Sequence, residues 1–116
     1  MTNLDKLLKA VEAGSAKETD FLASFQSSTM RHLLLRAYEG SLDAALALHE
    51  ALLPGWDALI DLTADVSVSN GAKTLAEYRD YFGKAERSPA RGWLLAILRA
   101  YRDLQPKKDP TSANSA

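Results

Sequence analysis

The sequence predicts an α+β fold: short N-terminal helices, then a helix, a three-stranded antiparallel sheet and a long C-terminal helix. Three observations carry that prediction. Apolar residues recur with a helical period as far as Leu53, the period falls to two between Trp56 and Val68, and a helical period returns after Ser88-Pro89. The 116 residues are 47% hydrophobic and 25% charged, a globular balance that excludes collagen-like, low-complexity and wholly disordered chains.

Leu4, Leu7, Leu8 and Val11 fall at i, i+3, i+4 and i+7, with Gly14 placed for a left-handed cap, so a short amphipathic helix comes first. Ser15 and Glu18 have the spacing of a capping box ahead of Phe21, Leu22 and Phe25, which starts a second helix at about Ala16. Polar residues at Ser27 to Thr29 interrupt it. Met30, Leu33, Leu34, Ala37 and Tyr38 then restart the period up to Gly40, and the pattern leaves open whether these two stretches are separate helices. Ser41 is an N-cap, Asp43 complements the helix dipole, and Ala44 to Leu53 is rich in alanine and leucine, with Leu42, Leu46 and Leu53 expected in the core.

Pro54-Gly55 stops that helix, and Trp56, Ala58, Ile60 and Leu62 then alternate with Asp57, Leu59, Asp61 and Thr63 as in a half-buried strand. Thr63-Ala64-Asp65 makes a hairpin link to a second strand carrying Val66 and Val68. Between Asn70 and Glu77 both a tight turn and a helical turn are signalled, and a loop is favoured. A third strand is expected from Tyr78 to about Glu86, with Tyr78, Asp80 and Phe82 on one side and a bend at Gly83. Ser88 before Pro89 opens the last helix, whose apolar face is Trp93, Leu94, Ile97, Tyr101 and Leu104. One sheet face should take the two main helices. The other is polar, covered by the N-terminal helices, or free to bind.

Residues 1–105 read as a single domain, a helical segment over 1–39 followed by a core over 40–104, and 106–116 as a disordered tail. The N-terminal segment has two open uses, covering the sheet or serving as an interface for a homodimer. Met1 to Ala13 carries Asp5, Lys6, Lys9 and Glu12 in a helical pattern, unlike a signal or transit peptide, and no apolar run approaches the roughly 20 residues of a membrane span, so a cytoplasmic protein is expected.

The stretch Gly40 to Leu48, the Leu53-Pro54-Gly55-Trp56 turn, and Ser88-Pro89-Ala90 opening the last helix together resemble a family of small phage and prophage proteins, the phage α-β-α sandwich family. The similarity spans Gly40 to Tyr101, about half the chain. It implies phage ancestry and a fold, with no activity or catalytic residue to carry over. By analogy it also implies an accessory protein that occupies the surface of a host or phage protein, with inhibition of a host system as one outcome.

Composition narrows the chemistry further. Zero cysteine removes disulfides, thiolate metal sites and cysteine nucleophiles, and 14 basic against 15 acidic residues is a poor balance for neutralising a phosphate backbone. His49-Glu50 begins like a zinc helix, but Leu53 stands where the second histidine belongs and His32 lies on another predicted helix. Both histidines are read as partly exposed, and no metal is expected. Asp57 and Asp61 share a strand face roughly 13 Å apart, too far to act as a pair, and are read as solvent-side charges. There is no Gly-x-Ser-x-Gly elbow and the six glycines stand singly, so neither an enzyme nor a cofactor is expected.

Two binding readings remain. In the preferred one the protein binds another protein through Trp56, Tyr78 and Tyr81, while Trp93 and Tyr101 belong to the core. In the alternative, Lys84, Arg87 and Arg91 near the start of the last helix hold a nucleic acid or other anion. Helix, three strands, helix is also the order of double-stranded RNA-binding domains, but those open the last helix with a lysine-rich stretch, and here only Arg91 follows Ser88-Pro89-Ala90.

Overall fold

The elements follow in the order α1 (Asn3–Ala13), α2 (Glu18–Ser24), α3 (Ser28–Tyr38), α4 (Leu42–Leu52), β1 (Asp57–Asp61), β2 (Asp65–Ser69), β3 (Glu77–Asp80) and α5 (Pro89–Leu104). This computed structural model describes residues 2–70 and 77–105. The expectations for the loop after Asn70 and for the tail fall largely on 71–76 and 106–116, outside the described residues. The α+β class is the one the sequence predicts, and no described helix is long and apolar enough to cross a membrane.

Local chemistry sets most helix ends. Thr2 and Asp5 cap α1 reciprocally: the Thr2 hydroxyl accepts from the Asp5 amide and the Asp5 carboxylate from the Thr2 amide. Gly14 adopts φ 74°, the left-handed conformation that closes α1. The Ser15 amide is drawn into the same cap, donating to the Ala10 carbonyl, so Ser15 does not start the next helix. The start therefore moves from Ala16 to Glu18, with the Asp20 carboxylate accepting from the Lys17 amide at 2.8 Å. Helices α2 and α3 are separate, divided at Phe25–Ser27. Ser27, Ser41 and Ser88 each accept from the amide three residues on, and Pro89 occupies the first turn of α5.

Helix α5 is the centre of the molecule rather than a helix with one apolar face. Ala90, Gly92 to Leu98 and Ala100 are all buried, because β2 and β3 pack on one side of α5 and α1, α3 and α4 on the other. Full burial of Leu94, Leu95, Ile97 and Leu98 is worth about 1.5–3 kcal/mol each. The arrangement corrects the expectation that two helices lie on the sheet. Only α5 does to any extent, and the N-terminal helices cover α5 instead. Leu42 and Leu46 are also corrected: they are 39% and 47% exposed, since Ala44, Ala45 and Leu48 form the inward stripe of α4. Leu104, placed on the apolar face of the last helix, is 51% exposed.

The sheet order is β1-β2-β3, both pairs antiparallel. Asp61 faces Asp65, so the hairpin link is Leu62 to Ala64 and Asp65 already belongs to β2. Val66 pairs with Asp80 and Val68 with Tyr78 on the face toward α5, while Leu59, Ser67 and Arg79 form a row across the outer face. Strand β3 ends at Asp80, six residues before the predicted limit. The chain turns there because Phe82 is buried against Gly92 of α5, the Gly83 amide donates to the Ala64 carbonyl of the hairpin, and Glu86 takes a positive φ of 58°.

Candidate functional site

The turn after β3 carries Tyr81 and Lys84 outward, and α5 supplies Arg99. Together with Arg79, Asp80, Ala85 and Arg87 they line a solvent-open cleft of about 500 Å³. Tyr81 is 54% exposed at its mouth. The Arg79 guanidinium carbon lies 5.9 Å and the Lys84 ammonium 6.0 Å from the centre of its ring, both within reach of the ring's negative face.

Behind that ring sits a buried carboxylate. Asp80 is 3% exposed and accepts from Arg87 through Nε at 3.2 Å and Nη2 at 2.9 Å, and from Arg99 Nη1 at 3.1 Å. Such a fork of donors on one carboxylate fixes both guanidiniums in place. Arg99 also bonds Glu12 at 3.1 Å and Arg87 donates to the Glu12 carbonyl, which ties α1 to the wall of the cleft. Arg79 pairs with Glu77 and Asp65, and the hydrogen bond and charge of Glu77, with the charge of Asp65 behind them, hold its pKa above the usual arginine value. Lys84 makes no ion pair with a described residue. The set places four cationic side chains around an aromatic ring, three of them already paired with carboxylates.

The residues singled out in the sequence are distributed unequally over this site. Tyr81, Lys84 and Arg87 meet in the cleft. Arg91 does not join them: its guanidinium stacks over Tyr38 at 5.6 Å and approaches Gly14, on the side of α5 that faces α1 and α3. Trp56 and Tyr78 are half-buried, with ring centres 6.2 Å apart. Tyr78 donates from its hydroxyl to Asp103 at 2.7 Å. His49, read as partly exposed, is 5% exposed. Its Nδ1 accepts from Trp93 Nε1 at 3.3 Å, so the proton sits on Nε2, which donates to the Trp56 carbonyl at 2.9 Å. It is a clamp between α4, α5 and the entry to β1. His32 is exposed, and among the described residues no group of three metal-ligating side chains forms. Arg79, Asp80 and Arg99 complete the cleft and carried no local signal in the sequence.

Tyr78 supplies a pH test of the packing. Partial burial, reinforced by the bond to Asp103, raises its pKa above the ordinary tyrosine value. A raised folded value means that its stabilising effect is complete below about pH 10 and is lost as pH rises through the folded pKa. In an alkaline absorbance titration Tyr78 is expected to give a late phase, above the ordinary tyrosine pKa. Tyr78→Phe should remove that late phase; a late phase that survives in Tyr78→Phe would place the perturbed ring elsewhere.

Comparison with known proteins returns no match: no family model, curated protein or solved structure is significantly similar to this chain.

Proposed function

We propose that this protein is a non-catalytic binding module that takes an acidic segment of a partner protein into the Tyr81 cleft. The observation that carries the reading is the exposed Tyr81 ring flanked by Arg79 and Lys84, at the mouth of a cleft backed by Arg87 and Arg99. Tyrosine and arginine are the residue types that dominate binding energy at protein interfaces, the ring supplying area and the guanidinium planar recognition of a carboxylate. A short acidic segment suits the site better than a nucleic acid strand. The cations form one cluster rather than a track along which a phosphate backbone could run. In the phage or prophage setting implied by the sequence resemblance, the module acts by occupying the surface of a host or phage protein.

The test uses a fluorescent peptide, Glu-Asp-Leu-Asp-Glu flanked by glycines, and a labelled single-stranded oligothymidine, with anisotropy as the readout. The peptide is expected to bind the wild-type protein, and Tyr81→Ala or Lys84→Glu to weaken it about tenfold. Tighter binding of the oligothymidine, with a steep loss on adding salt, would overturn the protein-binding reading in favour of nucleic acid.

A further inference from the structure

Strand β1 lies at the edge of the sheet away from the cleft, and α5 leaves it largely uncovered. Asp57, Ala58, Leu59 and Asp61 are exposed and only Ile60 is half-buried. Leu59 is 74% exposed and Leu62, just past the strand, 61%. Among the described residues no strand pairs with the outer edge of β1. A short strand with free backbone groups and uncovered apolar side chains is a template for another strand.

Charge decides which strand fits. A second copy of β1 pairing symmetrically along all five residues would set Leu59 against itself and Asp57 against Asp61 at both ends, and like charges directly opposite each other destabilise a ladder. Both carboxylates are available for a cation. Neither forms an ion pair with a described residue, and the Thr63 amide and hydroxyl, 3.0 and 2.8 Å from Asp61, hold its pKa below the usual carboxylate range. Asp57, Leu59 and Asp61 share the outer face, and Ala58 and Ile60 the inner one. The complementary strand is therefore basic, apolar, apolar, apolar, basic.

We propose that β1 docks an extended segment of a partner protein by strand addition, with Lys or Arg opposite Asp57 and Asp61 and apolar residues between them. Backbone bonds to the edge supply the affinity, and the two aspartates set the register and reject a second copy. This surface is independent of the Tyr81 cleft, since β1 and β3 are opposite edges of one sheet.

The probe is the capped peptide Lys-Val-Tyr-Val-Lys, titrated into the full chain labelled for amide NMR. Saturable shifts centred on 57–61, with slowed exchange of amides in that strand, are expected. The peptide Glu-Val-Tyr-Val-Glu should bind about tenfold more weakly, and so should the lysine peptide to the variant Asp57→Asn/Asp61→Asn. Asparagine keeps an oxygen to accept from Thr63, so the turn survives and the variant reports charge alone. Equal binding of the two peptides, shifts confined to Tyr81 and Lys84, no saturable change at millimolar peptide, or a dimer in sedimentation that forms through β1 would each overturn the proposal.

Discussion

Replacing Asp80 by alanine is expected to lower the unfolding free energy by about 3 kcal/mol, read as a shift of the urea midpoint. Removing one partner of a buried ion pair costs roughly 3–5 kcal/mol, because the charge left behind is neither solvated nor paired. The lower end applies here. Arg99 keeps Glu12 and the Arg79 carbonyl, Arg87 keeps the Glu12 carbonyl, and their side chains are 23% and 13% exposed, enough for partial rehydration. For a domain of this size the thermal midpoint should fall by roughly 10–20 °C. Asp80→Asn is the informative companion. It keeps one acceptor oxygen but turns an amide donor toward the guanidiniums, so it should lose a large part of the same stability. At the same time it frees positive charge at the back of the cleft, so affinity for an acidic peptide should rise while stability falls. A loss below 1 kcal/mol in Asp80→Ala would show that the Asp80 network behaves as an exposed pair, and the view that it fixes the cleft would fail.

That network also marks the limit of what the residues reveal one after another. Ser88-Pro89 and Gly14 are legible because a cap is made by neighbours: a serine oxygen and an amide three residues on, or a left-handed residue that closes the turn before it. Arg87 and Asp80 are seven residues apart, Arg99 and Asp80 nineteen, and Arg99 and Glu12 eighty-seven, and no periodicity joins them. Tyr81 and Lys84 are legible as residue types, but the alternation placed both on a strand rather than in the turn that carries them, and Arg99 of the same site comes from α5. The length of β3 fails for a related reason. The alternation Tyr78, Asp80, Phe82 continues past the strand, yet the contacts that turn the chain, Phe82 on Gly92 and Gly83 on Ala64, are tertiary. In α4 the leucines at Leu42 and Leu46 carry the stronger apolar signal, while small Ala44 and Ala45 allow the close approach to neighbouring helices that decides which face is buried. His49 is the inverse case, a polar side chain that burial accepts because both ring nitrogens find partners.

Gly92→Ala is expected to destabilise the protein by about 2 kcal/mol, lowering the thermal midpoint by roughly 10 °C, against the sign that helix propensity alone would give. In an exposed helix interior alanine is better than glycine by about 1 kcal/mol, since it restricts the unfolded backbone. At this position the new Cβ would lie 2.7 Å from both Cβ and Cδ2 of Phe82 and 3.0 Å from a carboxylate oxygen of Asp80. Neither neighbour can step aside cheaply. Phe82 is 2% exposed and the atom met first is its Cβ, fixed to the backbone of the turn, while Asp80 is held by two guanidiniums. Overpacking of a rigid site costs about 1–3 kcal/mol and more where backbone must move, which exceeds the propensity gain. The strain has a specific address, so a double-mutant cycle with Phe82→Ala should show coupling: part of the alanine penalty disappears once the ring is gone. The same displacement moves the turn that carries Lys84, so the Gly92→Ala protein should also bind the acidic peptide more weakly at temperatures where it remains folded. A rise in the thermal midpoint of Gly92→Ala would mean that α5 and the Phe82 turn are not packed backbone to ring, and the rigidity ascribed to the cleft wall would have no basis.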